Sequence, residues 1–306
     1  MPMCEIGFGI DGGGTRSRLC LFSLEDGREL GRFAGGSTNM YSVGRDAAMQ
    51  NIVSLLRSSG VSLERLKAGC LGSAGLSRPA EKEVFSDFFR RLLPQCRIYL
   101  CNDGETLLVG ALKSTEGYCL IAGTGSLALA RDHEGRTARA GGLGYMLGDE
   151  GSALWIAWQA IRRAMRSREG RDLETTLLAD LVKHFSLSCP EDFVEMLHHR
   201  FEKAVVATAA GLVLDRVEDD PLAADIARAA ANELALLLDS VMRQMPLFPA
   251  RAALSGGVIE HNAWLRGRLV EQLALVHPDL EVVSGQGDAV RGACMLARTA
   301  LVQGLS

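Results

Sequence analysis

A strand, a glycine-rich turn and a returning strand occur twice in this chain, and this repeat limits the folds open to it more than any other feature. In the first copy Ile6, Phe8 and Ile10 alternate at the two-residue period of a half-buried strand. Asp11 closes the run, Gly12, Gly13, Gly14 and Thr15 form the turn, and 16–22 return as strand. About 112 positions downstream, Tyr118-Cys119-Leu120-Ile121-Ala122 is the apolar strand, Gly123-Thr124-Gly125-Ser126 the turn and 127–131 the return, which ends in an acidic turn over 132–135. Two copies of one unit imply an internal duplication whose turns face a shared cleft.

The pattern after each copy alternates strands with helices and so predicts an α/β protein. The first copy is followed by a strand at 29–33, a helix over 43–58 and a strand over 67–71 that runs into Gly72-Ser73-Ala74-Gly75. A helix over 79–93, a strand over 97–101 and a helix over 104–112 complete this half. The second copy leads into helices over 152–166, 173–184 and 190–199, then a long helix striped by Leu222, Ile226, Ala230, Leu234, Leu237 and Val241. Strands at 252–254 and 280–283 and a last helix over 288–300 end the pattern. A chain of 306 residues is long enough for two domains with a large core.

Composition removes several classes of function. With 47% hydrophobic and 23% charged residues the chain is neither disordered nor a disulfide miniprotein. Its net charge is −4, and the densest basic run, Arg162, Arg163, Arg166 and Arg168, is short and mixed, which argues against a nucleic-acid partner. The eight cysteines form no C-x-x-C pair, and most lie in apolar strings, as reduced, buried thiols do. Residues 1–9 lack the basic start of a secretion signal, and no apolar run approaches the ~18 residues that span a bilayer. A cytoplasmic protein with no membrane partner is expected.

The glycine turns carry the chemistry. Gly7-Phe8-Gly9-Ile10-Asp11-Gly12 matches G-x-G-x-x-G, but a dinucleotide fingerprint needs a helix next, and strand follows here. No G-x-x-x-x-G-K-[ST] loop occurs either. Glycine lets backbone N–H groups approach an anion closely, and Thr and Ser hydroxyls add donors, so two such turns can hold the β- and γ-phosphates of a nucleotide. Ser255-Gly256-Gly257 is a third loop of the same kind. Asp11, at a strand end, is placed to hold Mg²⁺ through water, since that ion uses few carboxylates. Asp103 either takes a proton from a substrate hydroxyl or is the N-cap of the helix from 104. Asp149 and Glu150 either accept sugar hydroxyls or cap the helix that follows them. The six histidines read as surface or structural residues.

Five motifs in order, Ile10-Asp11-Gly12-Gly13-Gly14-Thr15, Asn102-Asp103, Ala122-Gly123-Thr124-Gly125-Ser126, Gly148-Asp149-Glu150-Gly151-Ser152 and Ser255-Gly256-Gly257, resemble those of the BadF/BadG/BcrA/BcrD ATPase family. The likeness is greatest to its N-acetylglucosamine and glucosamine kinase branch and covers nearly the whole chain. It implies the sugar kinase, Hsp70 and actin fold, two ribonuclease-H-like α/β domains hinged around a central ATP cleft. The domains implied are 1–115, completed by 289–306, and 116–288 with helical insertions. The implied reaction is ATP- and Mg²⁺-dependent phosphorylation of an amino sugar at its 6-hydroxyl.

By the same resemblance Asp103 matches the catalytic base, and Asp11 stands by the metal. Gly12, Gly13, Gly14, Thr15 and Arg16, with Gly123, Thr124 and Gly125, match the phosphate turns, and Gly256 and Gly257 match the adenosine loop. Asn39 in Ser37-Thr38-Asn39, together with Ser73, Ser126, Gly142 and Asp149, matches sugar-contact positions. Leu143 stands where many relatives have Trp, and Asp219-Asp220-Pro221 stands where relatives often have Gly-Asp near the adenine. The relatives imply a homodimer. Two other readings come with the superfamily. One is an ATPase activator of acyl-CoA dehydratases, with an iron–sulfur cluster on cysteines, for which Cys119 is the nearest match. The other is a non-catalytic sugar or nucleotide sensor.

Overall fold

The computed structural model describes residues 5–283 and 288–303; 1–4 with the Cys4 thiol, 284–287 at the expected domain boundary and 304–306 at the end of the expected last helix lie outside it. The chain divides into two compact units. Unit 1 takes in the chain as far as Gly117, the segment Arg131–Arg136 and the C-terminal helix; unit 2 takes in Tyr118–Ala130 and the chain from Thr137 through the last strand.

Unit 1 begins with β1 (Ile6–Gly12), β2 (Arg16–Ser23) and β3 (Glu29–Gly36), then α1 (Met40–Val43), α2 (Arg45–Ser58), β4 (Leu66–Ser73), α3 (Pro79–Leu92), β5 (Arg97–Cys101) and α4 (Asp103–Leu112). Unit 2 carries β6 (Gly117–Ala122) and β7 (Ser126–Arg131), apart from their end residues Gly117 and Arg131, which belong to unit 1, then β8 (Thr137–Gly141), α5 (Ala153–Arg168), α6 (Leu177–His184), α7 (Asp192–His199), α8 (Lys203–Ala207), α9 (Ala209–Leu214) and α10 (Pro221–Gln244). It ends with β9 (Arg251–Ser255), α11 (Gly257–Glu260), α12 (Ala263–Val276) and β10 (Glu281–Val283), and α13 (Ala289–Gln303) belongs to unit 1.

The sheets run β3-β2-β1-β4-β5 and β10-β9-β6-β7-β8. Read in reverse, the second repeats the first strand for strand, which is the structural form of the duplicated sequence unit. β1 is antiparallel to β2 and parallel to β4, with Asp11 opposite Gly72 and Gly12 opposite Ser73. β6 is parallel to β9, with Ile121 opposite Ser255. In each sheet the first strand therefore ends its glycine turn beside the end of a parallel neighbour, where ligands gather in open α/β sheets.

The core of unit 1 joins Phe8, Ile10, Leu19 and Leu21 of the hairpin to Ile52, Leu55 and Leu56 of α2 and Phe85 and Phe89 of α3. α13 covers β1 and lies against α4 backbone to backbone. A Cβ on Gly292 would overlap the Thr106 carbonyl, and one on Gly110 would overlap the Asp288 carbonyl. α4, which begins at Asp103, is thereby fixed in place. The core of unit 2 sets Tyr118, Leu120, Ala128 and Ala130 against α5 and α10.

Several sequence readings shift. The helix expected over 43–58 is broken at Gly44, whose φ of +83° ends α1 and starts α2. The helix expected from 173 starts at Leu177, because the Asp220 carboxylate takes the Thr175 hydroxyl and the Thr176 N–H. The buried stripe of α10 continues through Leu238, while Leu237 is half-buried and leans on Gly141. The short strand β8 and the short helices α8, α9 and α11 carry no clear periodicity in the sequence, and α12, whose buried Leu265, Leu269 and Leu273 recur every fourth residue, adds to the expected pattern.

Candidate active site

In unit 1 the hairpin turn is closed by the Gly13 N–H donating to the Arg16 carbonyl (3.1 Å) and held from outside by the Ser37 hydroxyl donating to the Gly13 carbonyl (2.8 Å). Thr38 is locked by two 3.0 Å bonds with the Ser17 hydroxyl, and a Cβ at Gly12 would overlap its side chain, so only glycine fits there. Asn39 caps α1, its Oδ1 accepting from the Tyr41 N–H (2.9 Å). Ser73, opposite Gly12 in the sheet, is buried, and its hydroxyl has no hydrogen-bond partner among the described residues. Such an orphan beside a glycine turn is the strain expected of a binding site. Asp11, Gly12, Gly13, Gly14, Thr15, Arg16, Asn39 and Ser73 are thus drawn together around one hairpin end.

Asp11 forms a cross-strand pair with Arg18, which donates to Oδ2 from Nη2 (2.7 Å) and Nε (3.2 Å). Among the described residues no group bonds to Oδ1. One carboxylate oxygen beside a glycine turn suits Mg²⁺, which keeps most of its waters and takes one or two protein carboxylates.

Asp103 follows β5, the neighbour of β4, and is the first helical residue of α4. The cap is Asn102. Its Oδ1 accepts from the Gly104 N–H (2.7 Å), and Glu105 closes the capping box. The N-cap expected at Asp103 thus falls one residue earlier, at Asn102, and the Asp103 carboxylate shares the Gly104 N–H (3.0 Å) with it. The Asn102 amide also donates to the Ser77 hydroxyl (3.0 Å), tying the Asp103 turn to the loop after Ser73.

In unit 2 the second turn meets the Gly148-Asp149-Glu150-Gly151-Ser152 loop. The Ser126 N–H donates to Asp149 Oδ1 (3.2 Å), the Ser126 hydroxyl to the Glu150 carbonyl (2.7 Å), and the Gly142 N–H to the Ser126 carbonyl (2.7 Å). The Ala153 N–H donates to the Gly123 carbonyl (2.8 Å), so α5 starts on this turn. Capping is again done by another residue: Ser152 accepts from the Trp155 N–H (3.2 Å). Asp149 holds φ at +64°, left-handed backbone that costs a non-glycine residue energy and is kept where function requires it.

Gly123, Thr124 and Gly257 line one cavity of about 460 Å³ in unit 2. Its other walls are Ala204, Ala207, Gly211 and Leu214, apolar and small, with polar groups from Asp215, His261 and Asn262. The sequence reading missed these walls, which come from the weakly patterned α8 and α9. It looked instead to 219–221, where Asp220 is buried as the N-cap of α10 and takes the Leu222 and Ala223 N–H groups (3.0 Å each). Gly256 has φ +99°, and a Cβ on it would overlap the Ala122 carbonyl, so glycine is obligatory beside this cavity.

Cys119 lies buried in β6, and burial pushes its thiol up to about 12. A cluster ligand needs an accessible thiolate, and among the described residues no three or more His, Cys, Asp or Glu side chains are grouped to hold a metal. No helix among them is long and apolar enough to cross a membrane.

Two duplicated α/β sheets with glycine turns at the ends of their first strands define the actin-like ATPase fold of the sugar kinases. The sequence profile of the BadF/BadG/BcrA/BcrD ATPase family matches residues 8–297, and the chain belongs to that family. It is 31% identical to an N-acetylmuramic acid/N-acetylglucosamine kinase of Clostridium acetobutylicum over 95% of this chain and 97% of that one. It is 28% identical to an N-acetyl-D-glucosamine kinase of Dictyostelium discoideum, over 96% and 98%. The solved structure of a candidate N-acetylglucosamine kinase from Chromobacterium violaceum superposes with a TM-score of 0.72 at 27% identity, covering 97% of this chain and 100% of that one. Family and relatives together make the chain an enzyme of the kinase class.

Proposed function

We propose that this enzyme transfers the γ-phosphoryl group of ATP to the 6-hydroxyl of an amino sugar, N-acetylglucosamine or glucosamine. The observation that carries the reading is the convergence in unit 2. There Gly123, Thr124 and Gly257 line one cavity, while Gly125 and Ser126 on the same turn rest on Asp149. A cavity with small apolar walls and glycine turns on its lining suits a nucleotide, and a carboxylate in strained backbone next to it suits sugar hydroxyls.

In this mechanism Asp103 accepts the proton of the sugar hydroxyl as its oxygen attacks the γ-phosphorus in line. The turn bearing Gly12, Gly13, Gly14 and Thr15, with Arg16, is the phosphate-binding turn of unit 1, and Gly123, Thr124 and Gly125 form that of unit 2. Gly256 and Gly257 support the adenosine end, and Asn39, Ser73, Ser126, Gly142 and Asp149 orient the sugar. Asp11 would hold Mg²⁺ through water, and the ion would supply neutralisation of the triphosphate charge. The protein's own work is positioning and charge complementarity, because phosphoryl transfer asks little covalent chemistry of it.

The test is ADP release from Mg-ATP with N-acetylglucosamine, glucosamine, N-acetylmannosamine, glucose and no sugar, with ³¹P–¹H coupling to locate the new phosphate ester. One amino sugar is expected to stimulate release and to carry the ester on C6. Asp103→Asn should lower kcat by about 10²- to 10⁴-fold with nucleotide and sugar binding retained. Undiminished turnover in that variant would remove Asp103 as the base, and hydrolysis indifferent to sugar would sink the kinase reaction proposed.

A further inference from the structure

The largest fully buried side chain of the molecule is a charged one. Arg131, 1% exposed, lies in the Arg131–Arg136 segment of unit 1. Its Nε stands 3.5 Å from Oε2 of Glu105, itself 5% exposed. Nη1 donates to the Thr115 carbonyl, Nη2 donates to the Tyr99 hydroxyl (3.3 Å), and the guanidinium lies 5.9 Å from the Tyr99 ring centre. The Tyr99 hydroxyl in turn donates to Glu105 Oε2 (3.3 Å). Burial, then the Glu105 carboxylate, push the Tyr99 phenol upward, which keeps it an O–H donor. The segment is shaped for this arginine: Asp132 clamps the turn through the Arg136 N–H (2.8 Å) and Nε (2.6 Å). Gly135, at φ +83°, leaves room for the guanidinium.

The other oxygen of Glu105 is committed elsewhere. Oε1 accepts from the Asn102 N–H (3.4 Å), closing the capping box at the start of α4. Asp103 and Gly104 lie between the two box partners, and Oδ1 of Asp103 itself accepts from the Gly104 N–H (3.0 Å). One buried carboxylate therefore pairs in charge with Arg131, at an Nε separation too long for a hydrogen bond, and accepts from Tyr99 on the same oxygen, while its other oxygen accepts from the backbone of the turn that presents Asp103. A buried charge without its partner is expelled or neutralised. Removing Arg131 would turn Glu105 away from Asn102 and let the first turn of α4 relax.

We propose that Arg131 and Glu105 form a buried positioning pair that fixes the direction of the Asp103 carboxylate, an inference that rests on Asp103 being the base. Arg131 touches no reacting atom; it acts through Glu105 and the Asn102–Asp103 backbone. Proton abstraction depends on that direction, because a displacement near 1 Å is worth roughly 10²-fold in rate.

The experiment compares Arg131→Met, Arg131→Lys, the double variant Glu105→Gln/Arg131→Met and Asp103→Asn by kcat, by KM for sugar and ATP, and by calorimetric affinity and stoichiometry for a non-hydrolysable ATP analogue. In Arg131→Met, kcat is expected to fall about 30-fold while both KM values, the analogue affinity and full stoichiometry stay within about threefold of the parent. Full stoichiometry separates a misaimed base from a smaller folded fraction. Arg131→Lys, which keeps the charge, and the double variant, which removes both charges and keeps an amide oxygen for the Asn102 N–H, should each return to within about fivefold of the parent. Parental kcat in Arg131→Met, or a double variant no better than the single one, would overturn the pair. Should Arg131→Met not fold, the double variant and Arg131→Lys decide alone: near-parental kcat in both supports the pair, and a loss in either sinks it. Active Asp103→Asn would instead bring down the base assignment, and the pair with it, so the two failures are told apart.

Discussion

Unit 1 and unit 2 thread five strands in the same spatial order, yet the glycine turn that ends the first strand is held differently in each. In unit 1 neutral hydroxyls, Ser37 and Ser17, secure the turn and its neighbour Thr38, and charge flanks it in the Asp11–Arg18 pair. In unit 2 a carboxylate secures the turn: Asp149 takes the Ser126 N–H, and the turn opens on an apolar cavity. Duplication thus keeps the backbone device, N–H groups presented by glycine, while the side chains around it diverge. The proposed metal and proton chemistry falls to unit 1, and the cavity proposed for the nucleotide lies in unit 2.

That division can be broken first at the loops that follow the parallel neighbours. Unit 2 places Gly256 after β9, at φ +99° and against the Ala122 carbonyl, whereas unit 1 places Ala74 after β4. Gly256→Ala is expected to destabilise unit 2 by about 2–3 kcal/mol and to weaken ATP-analogue binding at least tenfold. All three tryptophans, Trp155, Trp158 and Trp264, lie in unit 2, so the urea midpoint of tryptophan fluorescence reads this loss directly. Ala74→Gly should leave that midpoint unmoved. A Gly256→Ala protein with parental midpoint and affinity would show that the loop yields easily and that the cavity does not depend on it.

The comparison is sharpened next at Asp11. Asp11→Asn removes the charge that Arg18 faces and the proposed anchor for Mg²⁺. Loss of one charge-assisted contact, about 1.5–3 kcal/mol, corresponds to a roughly 10- to 100-fold fall in kcat/KM for Mg-ATP. The Mg²⁺ dependence of ATP-analogue binding should flatten at the same time. An unchanged Mg²⁺ dependence would mean that Asp11 serves only its pair with Arg18, and that the charge asymmetry between the two turns is structural.

The strand alternation, both glycine turns and their spacing made the duplicated α/β architecture legible, since period-two runs and glycine are local signals. Asp103 and Asp149 were visible as acidic residues at strand and loop ends. Which residue caps a helix was not: Asn102 takes the cap one residue before Asp103, and Ser152 takes it three residues after Asp149, so the choice depends on where each helix begins. The walls at Ala207, Gly211, Leu214 and Asp215 were hidden because α8 and α9 are only 5 and 6 residues long, too short to show an amphipathic stripe. Arg131 was invisible for a related reason. An arginine that closes a returning strand just before an acidic turn gives no local sign of burial, and only the pairing of distant residues reveals that it is buried on Glu105.

The smallest expected effect concerns the helical insertion that distinguishes unit 2. Arg163 of α5 donates to Asp172 (2.8 and 3.1 Å) in the loop before α6 and to Asp225 of α10 (2.7 Å), so one guanidinium ties the insertion to the long core helix. The hydrogen bonds from Arg163 hold the Asp172 carboxyl at about 2, well below its ordinary value, and burial opposes them only in part. A carboxylate whose pKa is depressed on folding adds stability that is complete above the unfolded value, near 3.9, and is lost as pH falls through the folded value. Asp172→Asn should therefore cost about 1–2 kcal/mol at pH 7. The deficit should narrow as pH falls from about 4 towards 2, because the parent is then losing the same charge. Tryptophan-monitored urea unfolding at pH 7, 4 and 2.5 measures this. A deficit of equal size at every pH would assign the loss to hydrogen-bond geometry or packing rather than charge, and would leave the insertion held by its apolar contacts to α5 and α10.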